Sequence, residues 1–191
     1  MADKEIGMNR TRILWLVAIS GIAVCLLLFG VVLRRPAPNL IQNGDFESGL
    51  DKWWWYVAPK SGATASFTTE SVPGAHGAAL RVSVDKAAEL DNIEVSQGHV
   101  VTKAGQNYTL TFRANSTVAQ EIEIKLIKNA DPWTSYGFLR TASITTKWQT
   151  YKLVGRATMT ADDGKLMFHF NTPDSKIWID DVRFQERRGL F

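Results

Sequence analysis

The sequence predicts an all-β fold, a two-sheet antiparallel β-sandwich preceded by a single transmembrane α-helix. Three observations carry that reading. Apolar and polar residues alternate with a period of two from Leu40 almost to the C-terminus. Turn residues punctuate the alternation at short intervals, and an uncharged apolar run, Ile13 to Leu33, stands in front of it. Period two is the mark of a strand with one buried face, whereas a run of about 20 apolar residues is what a bilayer-spanning helix needs.

The apolar run comes first in the chain. Its 21 residues would span about 31 Å as a helix, close to the hydrocarbon thickness of a bilayer. Arg10 and Arg12 bound it on one side, Arg34 and Arg35 on the other, and Trp15 sits where an interfacial aromatic belongs. A cleaved signal peptide would carry a shorter apolar stretch ending in a small-x-small site. Cys25 follows Val24 and precedes eight more apolar residues, which does not suit a lipoprotein. The segment is therefore expected to be an uncleaved signal-anchor. Three basic residues before the span and two after it favour a cytoplasmic N-terminus. The expected organisation is a cytoplasmic segment 1–12, a span 13–33, a tether 34–39, a β-sandwich 40–185 and a tail 186–191, with the sandwich periplasmic or extracellular. Pro36 and Pro38 stiffen the tether, and its six residues reach about 20 Å at most.

The charge is unevenly spread. Residues 1–35 hold five Lys/Arg against two Asp/Glu, while the remainder carries 17 of each and is neutral. A neutral domain lacks the electrostatic footprint of a nucleic-acid binder. Cys25 is the only cysteine, so the domain has neither a disulfide nor a thiol for metal or nucleophilic chemistry.

The strands follow in order. Leu80, Val82 and Val84 alternate with Arg81, Ser83 and Asp85; Tyr108, Leu110, Phe112 and Ala114 with Thr109, Thr111 and Arg113. Ile122, Ile124 and Leu126 alternate with Glu121, Glu123 and Lys125; Leu166, Phe168 and Phe170 with Met167, His169 and Asn171. Ile177, Ile179, Val182 and Phe184 close the series. Pro73-Gly74, Ala104-Gly105, Asp131-Pro132, Asp162-Asp163-Gly164 and Pro173-Asp174 mark the turns. Many short half-apolar strands imply two packed sheets.

At this point particular residues suggest a family. The opening Asn39-Leu40-Ile41-Gln42-Asn43-Gly44-Asp45-Phe46-Glu47-Ser48-Gly49-Leu50 with Trp53, the stretch Gly105-Gln106-Asn107-Tyr108-Thr109-Leu110-Thr111-Phe112, Lys147-Trp148-Gln149 and the closing Ile177-Trp178-Ile179-Asp180-Asp181-Val182 resemble carbohydrate-binding module families 4 and 9. The resemblance covers residues 39–185 and implies a jelly-roll. It also implies a structural calcium ion between the first and last strands. Glu47 and Asp180 would supply side chains, Asp45 a main-chain oxygen and the His76-Gly77 loop a carbonyl; calcium selects such hard oxygen donors.

Sugar recognition uses flat aromatic faces for the rings and planar polar groups for hydroxyls. Of Trp53, Trp54 and Trp55 one is expected in the core, and Trp148 resembles a structural position. Trp133, in the turn-rich Asp131-Pro132-Trp133-Thr134-Ser135-Tyr136-Gly137, resembles a cleft aromatic. Glu94 and His169 resemble polar cleft positions, with Arg113 and Lys125 expected on the same face. The ligand-binding set is thus Trp133, Tyr136, Glu94, His169, Arg113 and Trp55. A second aromatic, usual in xylan- and β-glucan-binding relatives, is replaced by Glu89-Leu90-Asp91, unless Trp54 or Trp55 compensates. The charges suit an anionic glycan or a protein partner better than neutral cellulose.

Catalysis is not expected. Glu121-Ile122-Glu123-Ile124-Lys125 loosely resembles a paired-carboxylate strand, and retaining hydrolysis needs two carboxyls about 5 Å apart. Lys125 stands where a third acid would be, and plain alternation accounts for the segment. The three histidines are scattered, and no phosphate loop or nucleophile elbow occurs. Two functions remain open: a membrane-anchored glycan-binding module, or an accessory subunit of a larger membrane complex that docks through its helix and sandwich.

Overall fold

The computed structural model of the protein describes residues 36–187. The expected span Ile13–Leu33 and the last residues of the tail lie outside them. Among the described residues no helix is long and apolar enough to cross a membrane.

Ten strands follow one another: β1 (Trp54–Val57), β2 (Thr64–Ser71), β3 (Ala78–Lys86), β4 (Ile93–Thr102), β5 (Asn107–Ser116), β6 (Gln120–Lys128), β7 (Ser135–Ile144), β8 (Gln149–Arg156), β9 (Ala161–His169) and β10 (Ser175–Glu186). A single 3-10 turn, Leu90–Asn92, precedes β4. The strands form two five-stranded antiparallel sheets, ordered β1-β4-β9-β6-β7 and β2-β3-β10-β5-β8. This is the all-β sandwich that the alternation predicts.

The apolar half of each alternation fills the space between the sheets. Ile122, Ile124, Leu126 and Phe168 from one sheet meet Leu110, Phe112, Ile177 and Phe184 from the other, each essentially inaccessible to water. Burial of such side chains is worth about 1.5–3 kcal/mol apiece. Edge-to-face pairs Phe112–Phe168 at 5.5 Å and Phe138–Phe184 at 5.4 Å bridge the sheets directly.

The opening motif departs from expectation. Leu40–Leu50 is not a strand but a series of bends and turns, with Asn43 and Phe46 in the left-handed region at φ 47° and 55°. The turns let the segment follow β10 at only a few points: Leu40 N–H donates to Phe184 O at 2.8 Å and Val182 N–H to Gly44 O at 2.8 Å. A Cβ on Gly44 would lie 2.1 Å from Val182 O, so only glycine allows that approach. Phe46 nevertheless plunges inward and stacks on Trp53 at 5.2 Å, while Asp45 and Glu47 stay exposed. Trp53 is the core member of its trio, its indole N–H donating to Asn43 O at 2.9 Å.

Candidate functional site

Directly opposed residues of an antiparallel pair share a face, so register places the polar half of the first sheet in rows. One row reads Tyr56, Glu94, His169, Glu123 and Thr141 across β1, β4, β9, β6 and β7. The next reads Trp54, Ser96, Met167, Lys125 and Leu139. A cleft of about 1030 Å³ lies over these rows. Trp54 and Tyr56 form one wall, and Trp133, from the turn between β6 and β7, lies on its lining as well. All three rings are exposed, at 74%, 46% and 52%.

The floor is charged but internally paired. Lys165 Nζ lies 2.6 Å from Glu94 Oε1 and 5.6 Å from the centre of the Trp133 ring. Lys125 Nζ bridges Asp91 and Glu123, at 2.7 Å from each. That lysine holds the Asp91 carboxyl below its ordinary value. Burial works against the Lys125 ammonium, yet its two carboxylates together raise its pKa. His169 is 1% exposed, and neither ring nitrogen has a hydrogen-bond partner among the described residues. Burial lowers its pKa from 6.5, opposed in part by Asp91, 3.4 Å away. A neutral imidazole with both nitrogens free is a donor and an acceptor waiting for a hydroxyl.

The expected ligand-binding residues divide. Trp133, Glu94, His169 and Trp55 line the cleft, together with Lys125; the Trp55 ring leans on Phe67 of β2, centroids 6.3 Å apart. Tyr136 does not join them. It is buried, and its hydroxyl donates to Asp163 at 2.6 Å, a bond that raises its pKa to about 12. Arg113 belongs to β5 in the other sheet, where it lies over the Trp148 ring at 5.2 Å and donates to Gly74 O. Trp54, Tyr56, Asp91 and Lys165 complete the cleft. The β1 aromatics Trp54, Trp55 and Tyr56 are exposed along this cleft; Tyr56 was not among the expected residues, and its alternation with Trp53 and Trp55 was the available signal.

Two of the three expected calcium residues, Glu47 and Asp180, converge on one loop from two sides. Glu47 Oε1 accepts the Ala78 N–H at 2.7 Å, and Asp180 Oδ2 accepts the His76 N–H at 2.9 Å. Asp180 is fully buried, its other oxygen accepting the Asp181 N–H at 2.7 Å. Burial raises its pKa, with these N–H donors opposing. The Glu47 carboxylate occupies the place of a Gly77 side chain: a Cβ there would lie 2.0 Å from Oε1. An oxygen-rich donor set in a glycine cradle fits a calcium ion. The closest three-residue grouping of ligating atoms is, however, His76, Asp180 and Asp181, within 4.8 Å of one another; Asp45 and Glu47 are not part of it.

Comparison with known proteins adds one family match and three structural likenesses. A family model described as carbohydrate binding domain matches residues 38–176. A solved CBM4 structure superposes with a TM-score of 0.66 at 23% identity, over 77% of this chain and 99% of that one. TmCBM61 in complex with β-1,4-galactotriose gives 0.56 at 20%, over 79% and 100%. The N-terminal cellulose-binding domain of Cellulomonas fimi β-1,4-glucanase C gives 0.53 at 19%, over 74% and 96%. At these identities the structures attest the fold alone. No curated protein matches the sequence.

Proposed function

Because the chain belongs to the carbohydrate binding domain family, we propose that it is a non-catalytic, membrane-anchored glycan-binding module. The observation that carries the reading is the cleft. Exposed rings of Trp54, Tyr56 and Trp133 line a floor of lysine–carboxylate pairs, in which the His169 ring alone of the groups described has no hydrogen-bond partner among the described residues. Sugar rings gain from stacking on such faces, and their hydroxyls satisfy planar polar groups. Glu94 and Glu123 are each held by a lysine, an arrangement suited to accepting hydroxyl hydrogen bonds rather than to proton transfer.

Two further elements belong to the proposal. Ile13–Leu33 would anchor the module in a membrane, with the sandwich periplasmic or extracellular. Glu47, Asp180 and the 76–78 loop would hold a structural calcium ion that supplies fixed positive charge beside the buried Asp180 carboxylate.

A glycan array with the detergent-solubilised full chain tests the main claim. Binding lost on Trp133→Ala supports it. Uniform silence, with a large complex co-purifying from mild detergent, would replace it with the accessory-subunit reading.

A further inference from the structure

The cleft is not uniform along its length. At one end, around His169, the lining includes Asp91 and Glu94. At the other the register passes Trp54 opposite Ser96, and the lining continues through Lys52, Gln97, His99, Asn129 and Trp133; Lys165, 5.6 Å from the Trp133 ring, holds the Glu94 carboxylate there at 2.6 Å. The cations differ as well. Lys125 and Lys165 are committed to carboxylates at 2.6–2.7 Å. Lys52 has among the described residues only its exposed neighbour Asp51, 3.7 Å away, with both side chains more than half exposed. Such a pair in open solvent offers little and yields readily to a competing anion.

A second observation concerns the same end, although left-handed backbone also occurs away from it, at Asn43, Phe46, Lys60, Asp174 and Asp181. Lys52, His99 and Trp133 all hold left-handed backbone, at φ 71°, 58° and 55°. Non-glycine residues adopt that region at an energetic cost, and such positions cluster where side chains are aimed at ligands. All three line this cleft. The strained positions thus present a cation, an imidazole and an indole face together.

We propose that this end of the cleft is a subsite for an acidic sugar. A uronate carboxylate would be met by the Lys52 ammonium and the His99 ring, with the sugar ring stacked on Trp133. The paired floor takes neutral sugars, and at the opposite end the lysines are already held by carboxylates and offer a uronate no free cation, so the ligand would bind in one direction. The inference rests on the glycan reading and adds the substituent it prefers.

The test is calorimetric titration of the full chain with two matched probes, xylotetraose against glucuronyl-xylotetraose and cellotetraose against its C6-oxidised form. In at least one pair the acidic member should bind about fivefold or more tightly at low salt, a modest ion-pair contribution. That preference should shrink markedly in about 0.5 M salt, where the Debye length falls to about 4 Å. It should vanish in Lys52→Met, in which the acidic and neutral members of each pair bind equally. Thermal melts check that Lys52→Met is folded, as an exposed position leads one to expect. Equal affinity within every pair that binds overturns the acidic subsite and leaves the glycan reading intact. No binding in any pair, with a silent array, removes both.

Discussion

Glu94 and His169 stand directly opposite each other on β4 and β9, yet they have different fates. The glutamate is held by Lys165 at 2.6 Å and by the Ser96 hydroxyl at 3.2 Å. The histidine has no hydrogen-bond partner among the described residues. Leaving a buried polar group unsatisfied costs about 1–3 kcal/mol, so the fold gains nothing from an imidazole at this position. His169→Leu should therefore melt at or above the wild-type temperature while losing about tenfold in glycan affinity, the equivalent of about 1.4 kcal/mol. Calorimetry on both proteins decides it; a destabilised variant with full affinity would make His169 purely structural.

The same residue makes a pH prediction. Burial lowers its folded pKa below 6.5, so the unfolded chain takes up a proton more readily than the folded one. Stability from this group is present above 6.5 and is lost as pH falls toward the lowered folded value. Urea melts at a series of pH values should show a declining slope below 6.5 that is reduced in His169→Leu. Identical slopes would assign the pH dependence to other groups.

Three tryptophan positions should separate binding from folding. Trp54→Ala and Trp133→Ala remove exposed rings, and each should weaken glycan binding while leaving the melting temperature within about a degree or two. Trp53→Ala empties a core site stacked on Phe46 and should cost about 3–5 kcal/mol. Chemical denaturation with parallel binding assays reads all three.

Calcium gives a fourth expectation. Burial raises the Asp180 pKa, so the ionised carboxylate is disfavoured in the folded protein, and stability from this group falls as pH rises from 3.8 through the raised folded value. A bound cation would offset that cost. Chelation should lower the melting temperature by several degrees, and Glu47→Gln should abolish the response. A melt insensitive to both calcium and chelator would eliminate the ion.

Hydroxyl titration at Tyr136 supplies a last check. Its bond to Asp163 raises the pKa to about 12, so stability from this contact is present below pH 10 and lost as pH rises through the folded value. Absorbance titration should find Tyr136 and, through burial, Tyr108 ionising late, and Asp163→Asn should bring only one of the two earlier.

Much of the protein was legible in its amino-acid order. Period-two alternation is local information, and it marked β3, β5, β6, β9 and β10 along with which of their residues face the core. Alternation would equally have put Tyr136 beside Phe138 on the buried face; its aromatic-rich turn made it resemble a ligand contact instead. What alternation does not reveal is which sheet a strand joins. Arg113 and Lys125 are equivalent in sequence, each a cation on the polar side of a strand, but β5 lies two strands from β3 in one sheet while β6 lies beside β9 in the other. Only that pairing put Lys125 in the cleft and Arg113 over Trp148. The sequence by itself determined strands, faces and core, because these depend on neighbours along the chain. Tertiary structure alone decided which polar side chains share a site, because strand order depends on contacts between residues far apart in it.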